Sequence, residues 1–176
     1  MLSPEATSVV LNAQKARVKG AELELQFAAT NTVTLSGGIN YTDAEYKRFQ
    51  VNDLANFDAS GNRMISAPMW SGQVTFDLDQ PLTGDVNLVG SATLVYKSSL
   101  FFDPENTLAN FQKGYALVNG RIGLRTFNER IGIYAFARNL FDKRYAQFGQ
   151  TNSVGTVVNY GDRRIIGITL EAFIGG

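Results

Sequence analysis

The sequence predicts an all-β fold, an antiparallel transmembrane β-barrel of outer-membrane type, on three observations. Side chains alternate with a period of two: over 73–78, Val74, Phe76 and Leu78 take one face while Gln73, Thr75 and Asp77 take the other. The connections between such segments run short, long, short, long. No stretch approaches the roughly 18 consecutive apolar residues of a membrane helix, and a barrel needs none because its signal per strand is weak.

Seven segments fit the template, at 15–28, 32–42, 70–79, 85–97, 115–126, 130–141 and 164–174. Most reach the about 9 to 11 residues of a tilted membrane-crossing strand. In the first, Ala21, Leu23, Leu25 and Phe27 stand at odd positions but Val18 at an even one, and this slip of phase predicts a β-bulge near Gly20. The second and third carry the same alternation, which is plainest around Val74. In the fourth, Val86, Leu88, Gly90, Ala92, Leu94 and Tyr96 oppose Asn87, Ser91, Thr93 and Lys97. The fifth sets Ala116, Val118, Gly120, Ile122 and Leu124 against Asn119, Arg121, Gly123 and Arg125, which keeps both arginines off the apolar stripe. The sixth follows a tight turn. The last presents Ile166, Ile168, Leu170, Ala172 and Ile174 in one row, with Phe173 out of phase.

Connections near 29–31, 80–84 and 127–129 are tight, whereas 43–69, 98–114 and 142–163 are long. Outer-membrane barrels have short periplasmic turns and long extracellular loops. The final strand is therefore expected to run inward and the first to begin outside, preceded by a further strand that residues 2–12 are too short and Pro-containing to supply. Residues 1–176 are expected to be one C-terminal part of a larger barrel, about seven to eight of its strands.

The 176 residues are 44% hydrophobic, enough for a single domain with a core, so size does not separate a part from a whole. Sixteen basic and 16 acidic residues balance, which leaves no electrostatic footprint for nucleic acid. Cysteine is absent, as suits an envelope protein without a disulfide scaffold. Met1–Ala13 carries Pro4 and Glu5 and lacks the basic and apolar order of a signal peptide, so an exported product is expected to be trimmed or truncated.

Without His or Cys the chain lacks the usual general base, the usual thiol nucleophile and most zinc or haem ligands. No catalytic, cofactor or metal site is expected, and no enzyme. Glu22 and Glu24 form a carboxylate pair two residues apart, better read as charges facing a wet lumen. Asp53, Asp58 and Asn62 offer oxygen ligands, but their spacing fails the calcium-loop template and fits a plain turn. No phosphate-cradling glycine motif follows a strand; Gly37, Gly38, Gly90, Gly120 and Gly123 instead relieve crowding in the sheet. Arg121, Arg125 and Arg138 could grip an anion, or meet lumen water or a plug, and Glu171 joins them as a lumen or plug-facing candidate. Of the aromatic residues gathered near strand ends, Trp70, Tyr96 and Tyr115 are the candidates for an interfacial girdle.

The stretch Arg138-Asn139-Leu140-Phe141-Asp142-Lys143-Arg144-Tyr145 resembles a segment found near the end of TonB-dependent outer-membrane receptors. Segments at 12–25, 35–46, 114–125 and 161–173 resemble strands of the same half-barrel, in order and spacing. Phe173 departs from the family pattern, which usually ends the last strand on an aromatic residue in phase with the outward row. The resemblance implies a Gram-negative outer-membrane location and about a third of the wall of a 22-stranded barrel with an N-terminal plug, absent here. It also implies uptake of a scarce ligand, an iron-siderophore first and cobalamin or an oligosaccharide next. The implied partners are outer-membrane lipid, the plug and remaining strands, the inner-membrane TonB energy complex and the outer-membrane assembly machinery. Two other readings are a complete eight-stranded barrel of adhesin or structural type and a soluble calyx that carries an apolar ligand.

Overall fold

A computed structural model describes residues 12–51, 57–126, 130–152 and 155–172. The strands are β1 (Lys15–Ala28), β2 (Val33–Arg48), β3 (Gln50–Val51), β4 (Phe57–Asp58), β5 (Trp70–Thr83), β6 (Val86–Lys97), β7 (Leu100–Phe101), β8 (Phe111–Gln112), β9 (Tyr115–Thr126), β10 (Ile131–Arg138), β11 (Ala146–Asn152), β12 (Gly155–Tyr160) and β13 (Ile165–Ala172). Seven of them form one antiparallel sheet in the order β1-β2-β5-β6-β9-β10-β13. All seven segments expected from the alternation are there. The remaining strands pair two by two inside the long connections, as β3 with β4, β7 with β8 and β11 with β12.

Because residues directly opposite in an antiparallel pair share a face, the registers fix both faces of the sheet. Leu23 meets Ile39, Ile39 meets Gly72, Gly72 meets Tyr96, and Tyr96 meets Ala116. A second row runs from Phe27 through Leu35, Phe76, Ala92, Gly120 and Ala137 to Ile166. One apolar face is thus continuous across seven strands, and its Leu25, Val74, Leu94, Ile122, Ile133 and Leu170 are exposed. Such an area cannot rest against water at this size. In β2, β5, β6 and β9 the apolar row spans 33–41, 70–78, 88–96 and 116–124, the strand length that crosses a bilayer.

β1 and β2 run past that band toward the long-connection end, and their faces exchange character there. Arg17 and Lys19, in phase with Leu23, now oppose Glu45 and Asp43, while Ala44 and Tyr46 turn the other way and are buried. Tyr46, Phe49 and Ala59 form an apolar cluster against Ala13 and Met64. The phase slip has this cause. The predicted β-bulge near Gly20 is absent: pairing from Ala16 to Ala28 is unbroken, and the register shift lies between Lys15 and Ala16. Val18 shares the face of Ala44 but stays exposed, and the pattern inverts because the phase of Leu23 here carries Arg17 and Lys19 against Glu45 and Asp43, while Ala44 and Tyr46 are buried on the other face.

Other boundaries move for local reasons. β2 continues to Arg48 because its partner extends beside it, and β10 stops at Arg138 because Asn139 adopts φ 47°. Thr83 pairs with Val86 around Gly84, whose φ of 55° suits glycine at a hairpin turn. The turn at 127–129, Asp53, Phe173 and most of residues 2–12 lie outside the described residues.

Candidate functional site

The face opposite the apolar one is polar, and it carries all six charged candidates. Glu22 and Glu24 stand on β1 opposite Asn40 and Gly38. On β9, Arg125 donates to Asp79 at 2.6 Å across the intervening β6, and Asp79 also accepts from Asn87 at 2.8 Å. Arg121 lies 4.9 Å above the Tyr134 ring and reaches Glu171 at 3.4 Å. Arg138 occupies the same face at the end of β10, two residues beyond Phe136.

Tyr134 is 3% exposed because its ring lies over two glycines. A Cβ at Gly132 would clash with the hydroxyl end of the ring, 2.5 Å from Cε2 and 2.6 Å from the hydroxyl oxygen, and one at Gly123 would strike the Tyr134 side chain and the backbone beside it. Glycine here makes room for an aromatic ring laid flat along the sheet.

The girdle candidates part company. Trp70 and Tyr96 are exposed on the apolar face, and Trp70 packs on Tyr41 with ring centroids 4.8 Å apart. Tyr115 needs correction. It stands at an odd position of β9, opposite Lys97 and out of phase with Ile122 and Leu124, and is 8% exposed beneath Tyr145, whose ring stacks at 4.6 Å. It belongs to the packing of the loop base, not to the apolar face.

The long connections are hydrogen-bonded to one another. Arg63 N–H donates to Asn106 Oδ1 and Asn106 Nδ2 to the Arg63 carbonyl, each at 3.0 Å, so that one side-chain amide imitates a strand partner. The Arg63 guanidinium donates to the carbonyls of Ala67 and Ser99, and Asn62 to that of Pro104. Asn110, buried, donates to Asp103 at 2.6 Å and to Thr151 at 3.0 Å, while Ala146 N–H donates to Gln112 at 2.7 Å. Burial pushes the Asp103 carboxyl up, but bonds donated by Thr107, Asn110 and Asn106 outweigh it and hold the group below its ordinary range. Asp58 accepts from Gln50 and from the Ser60 backbone, in keeping with the turn reading.

The motif that begins at Arg138 forms a corner. Asn139 Nδ2 donates to the carbonyls of Lys143 and Asp162 at 2.9 and 2.8 Å, its Oδ1 accepts from Lys143 N–H, and its own N–H donates to Asn119. Asp142, at φ 51°, accepts from both arms of the Arg163 guanidinium and from Arg164 N–H. The bonds from Arg163 first, then the backbone of Arg164, hold its carboxyl far below the ordinary range. The exit of β10 is thereby tied to the entry of β13. Sequence reasoning found this motif only through its resemblance; the readable signal was Asn and Asp at the end of an apolar segment, residues that tolerate a left-handed backbone.

A membrane-length sheet, apolar on one face and polar on the other, with short turns at one end and interlocked long loops at the other, defines a wall of the outer-membrane β-barrel class. Residues 2–140 match the family described as TonB dependent receptor-like, beta-barrel, and the chain belongs to that family. It is similar to the ferrichrome outer membrane transporter/phage receptor of Escherichia coli (strain K12), 27% identical over 155 residues, which cover 82% of this chain and 19% of that protein. Its fold matches the ferric yersiniabactin uptake receptor of Yersinia pestis with TM-score 0.78 at 24% identity, over 93% of this chain and 24% of that one. It also matches the siderophore receptor of Acinetobacter baumannii with TM-score 0.71 at 20% identity, over 89% and 22%. The chain thus spans less than a quarter of these proteins, and it resides in the outer membrane of a Gram-negative bacterium.

Proposed function

We propose that the chain is the C-terminal wall of a receptor that imports a ferric siderophore, with its apolar face in the bilayer, its polar face around an N-terminal plug, and its long loops on the ligand side. The continuous apolar face carries this reading, because a sheet with one lipid-type face requires closure by further strands on both open edges. The iron-chelate names of the similar proteins support the ligand class. Energy for release of the ligand comes from the inner-membrane TonB complex acting on the plug, and the outer-membrane assembly machinery inserts the wall. The receptor acts as a transporter, not an enzyme.

The test is accumulation of radio-iron from a panel of ferric siderophores by cells with and without the parent gene. One chelate should lose its uptake in the deletion strain and equally in a strain lacking TonB. Unchanged accumulation of every ferric chelate would refute the ligand class.

A further inference from the structure

A loop that closes over a ligand must be free to part from its neighbours, and the described residues of the three long connections are tied together instead. Between the first and the second, the paired bonds of Arg63 with Asn106 are continued by Ser66, whose N–H donates to the Phe101 carbonyl at 2.8 Å. The Arg63 guanidinium reaches the Ser99 carbonyl at 3.2 Å. Ser66 and Asn106 both hold a left-handed backbone, at φ 55° and 57°. In a residue other than glycine that conformation costs free energy and persists only where its surroundings over-determine it. Each of the two residues supplies a bond between connections, so the contact is part of what holds the strained backbone.

The second and third connections fit as closely. Asn110 is buried and donates to the Thr151 hydroxyl at 3.0 Å, and Gly149 is buried beside it. A Cβ at Gly149 would stand 3.1 Å from both Asn110 Oδ1 and the Phe102 ring, which leaves no play between them. Asp103 braces the middle connection from within by accepting from Thr107 and Asn110. The outer two are anchored on the wall. Gly61 and Met64 donate N–H to the carbonyls of Tyr46 and Ala44 at 2.7 and 3.0 Å, and Asn139 holds the third through Asp162. Such bonds are individually weak, but parting any one connection from its neighbour breaks several at once.

We propose that residues 58–69, 98–114 and 142–151 form one rigid rim, which meets its ligand as a preformed surface and does not close over it. That the rim faces a ligand rests on the siderophore-receptor reading; its rigidity does not. Arg63 and Asn106 are the positioning pair that fixes the first connection to the second.

The test uses the full receptor in outer-membrane vesicles, otherwise free of cysteine, with spin labels on two introduced cysteines and distances read by double electron-electron resonance. Labels at Ser66 and Glu105 span the first and second connections, and labels at Glu105 and Gln147 span the second and third; all three positions are exposed. Each pair should give one narrow distance, and Arg63→Ala combined with Asn106→Ala should broaden the first and spare the second. Broad or two-peaked distances in the unsubstituted receptor overturn the rim, and a narrow first distance that survives the double substitution overturns the role of the pair. Where the double variant does not assemble, the widths in the unsubstituted receptor decide. In cells, bridging the Ser66 and Glu105 cysteines with a bismaleimide of matching span should leave uptake from the radio-iron siderophore panel at the level seen with a one-ended maleimide. Uptake lost only on bridging overturns the preformed surface. No uptake of any chelate under either treatment sinks the siderophore reading alone, while the distances still decide the rim.

Discussion

The buried side-chain amide of Asn139 donates to the carbonyl of Asp162 at 2.8 Å, closing the base of the longest described hairpin loop with a single residue. Its backbone is left-handed and its side chain makes bonds at both ends, so two costs can be separated by substitution. Asn139→Ala loses the hydrogen bonds and strains the backbone, and should destabilise the receptor by about 2 to 4 kcal/mol. Asn139→Gly should lose less, because glycine accepts the positive φ. Urea titration of the folded band on unheated gels measures both; equal losses would show that strain plays no part.

Asp142 beside Arg163 makes a pH signature. A carboxyl held below its ordinary value binds fewer protons in the folded protein than in the unfolded one. Its contribution is therefore present above the ordinary carboxylate value of about 3.9 and declines as pH falls below it. Asp142→Asn should lower the unfolding midpoint at pH 6 and match the unsubstituted protein more closely at pH 3. A gap that widens toward low pH would contradict the pairing.

Leu94 and Thr93 are neighbours on opposite faces of β6. Leu94→Arg places a charge in the middle of the apolar band at a cost of about 2 to 4 kcal/mol, whereas Thr93→Arg should be milder. Yield of folded receptor in the outer membrane reports the difference. Normal assembly of the leucine variant would mean that the faces are inverted.

Gly132 and the Tyr134 ring compete for one space. Gly132→Ala should cost about 1 to 3 kcal/mol by overpacking, and much of that loss should vanish when Tyr134→Ala is also present. Additive losses in the double variant, read from unfolding midpoints, would place the penalty in the backbone instead.

The wall was legible because a single physical rule, one lipid face and one wet face, acts on every strand within the band. Where that rule lapses, the reading lapsed with it. Val18 looked like a bulge because its strand had already left the apolar band, and Tyr115 looked like a girdle residue from its place near a strand end, although its odd position already puts it in phase with Arg121 and off the apolar row. The six charged candidates were placed on one face by alternation alone, but the reach of Arg125 across β6 to Asp79 depends on side-chain geometry that no spacing encodes. The loop hairpins were missed for a related reason. Their pairing is short, and much of their order comes from side-chain amides such as Asn106 and Asn110, whose partners lie in other loops.

The assignment of faces is tested most directly by single cysteines placed one at a time from Arg17 to Phe27 in the receptor, in a segment free of native cysteine, each carrying a spin label read by oxygen collision in lipid. Oxygen access should be high at Leu23, Leu25 and Phe27, low at Glu22 and Glu24, and should fall away at Lys19 and Arg17 although these share the outward phase. High oxygen access at Glu22 and Glu24, or alternation that continues undiminished through Arg17, would contradict a lipid face that ends where the strand leaves the membrane.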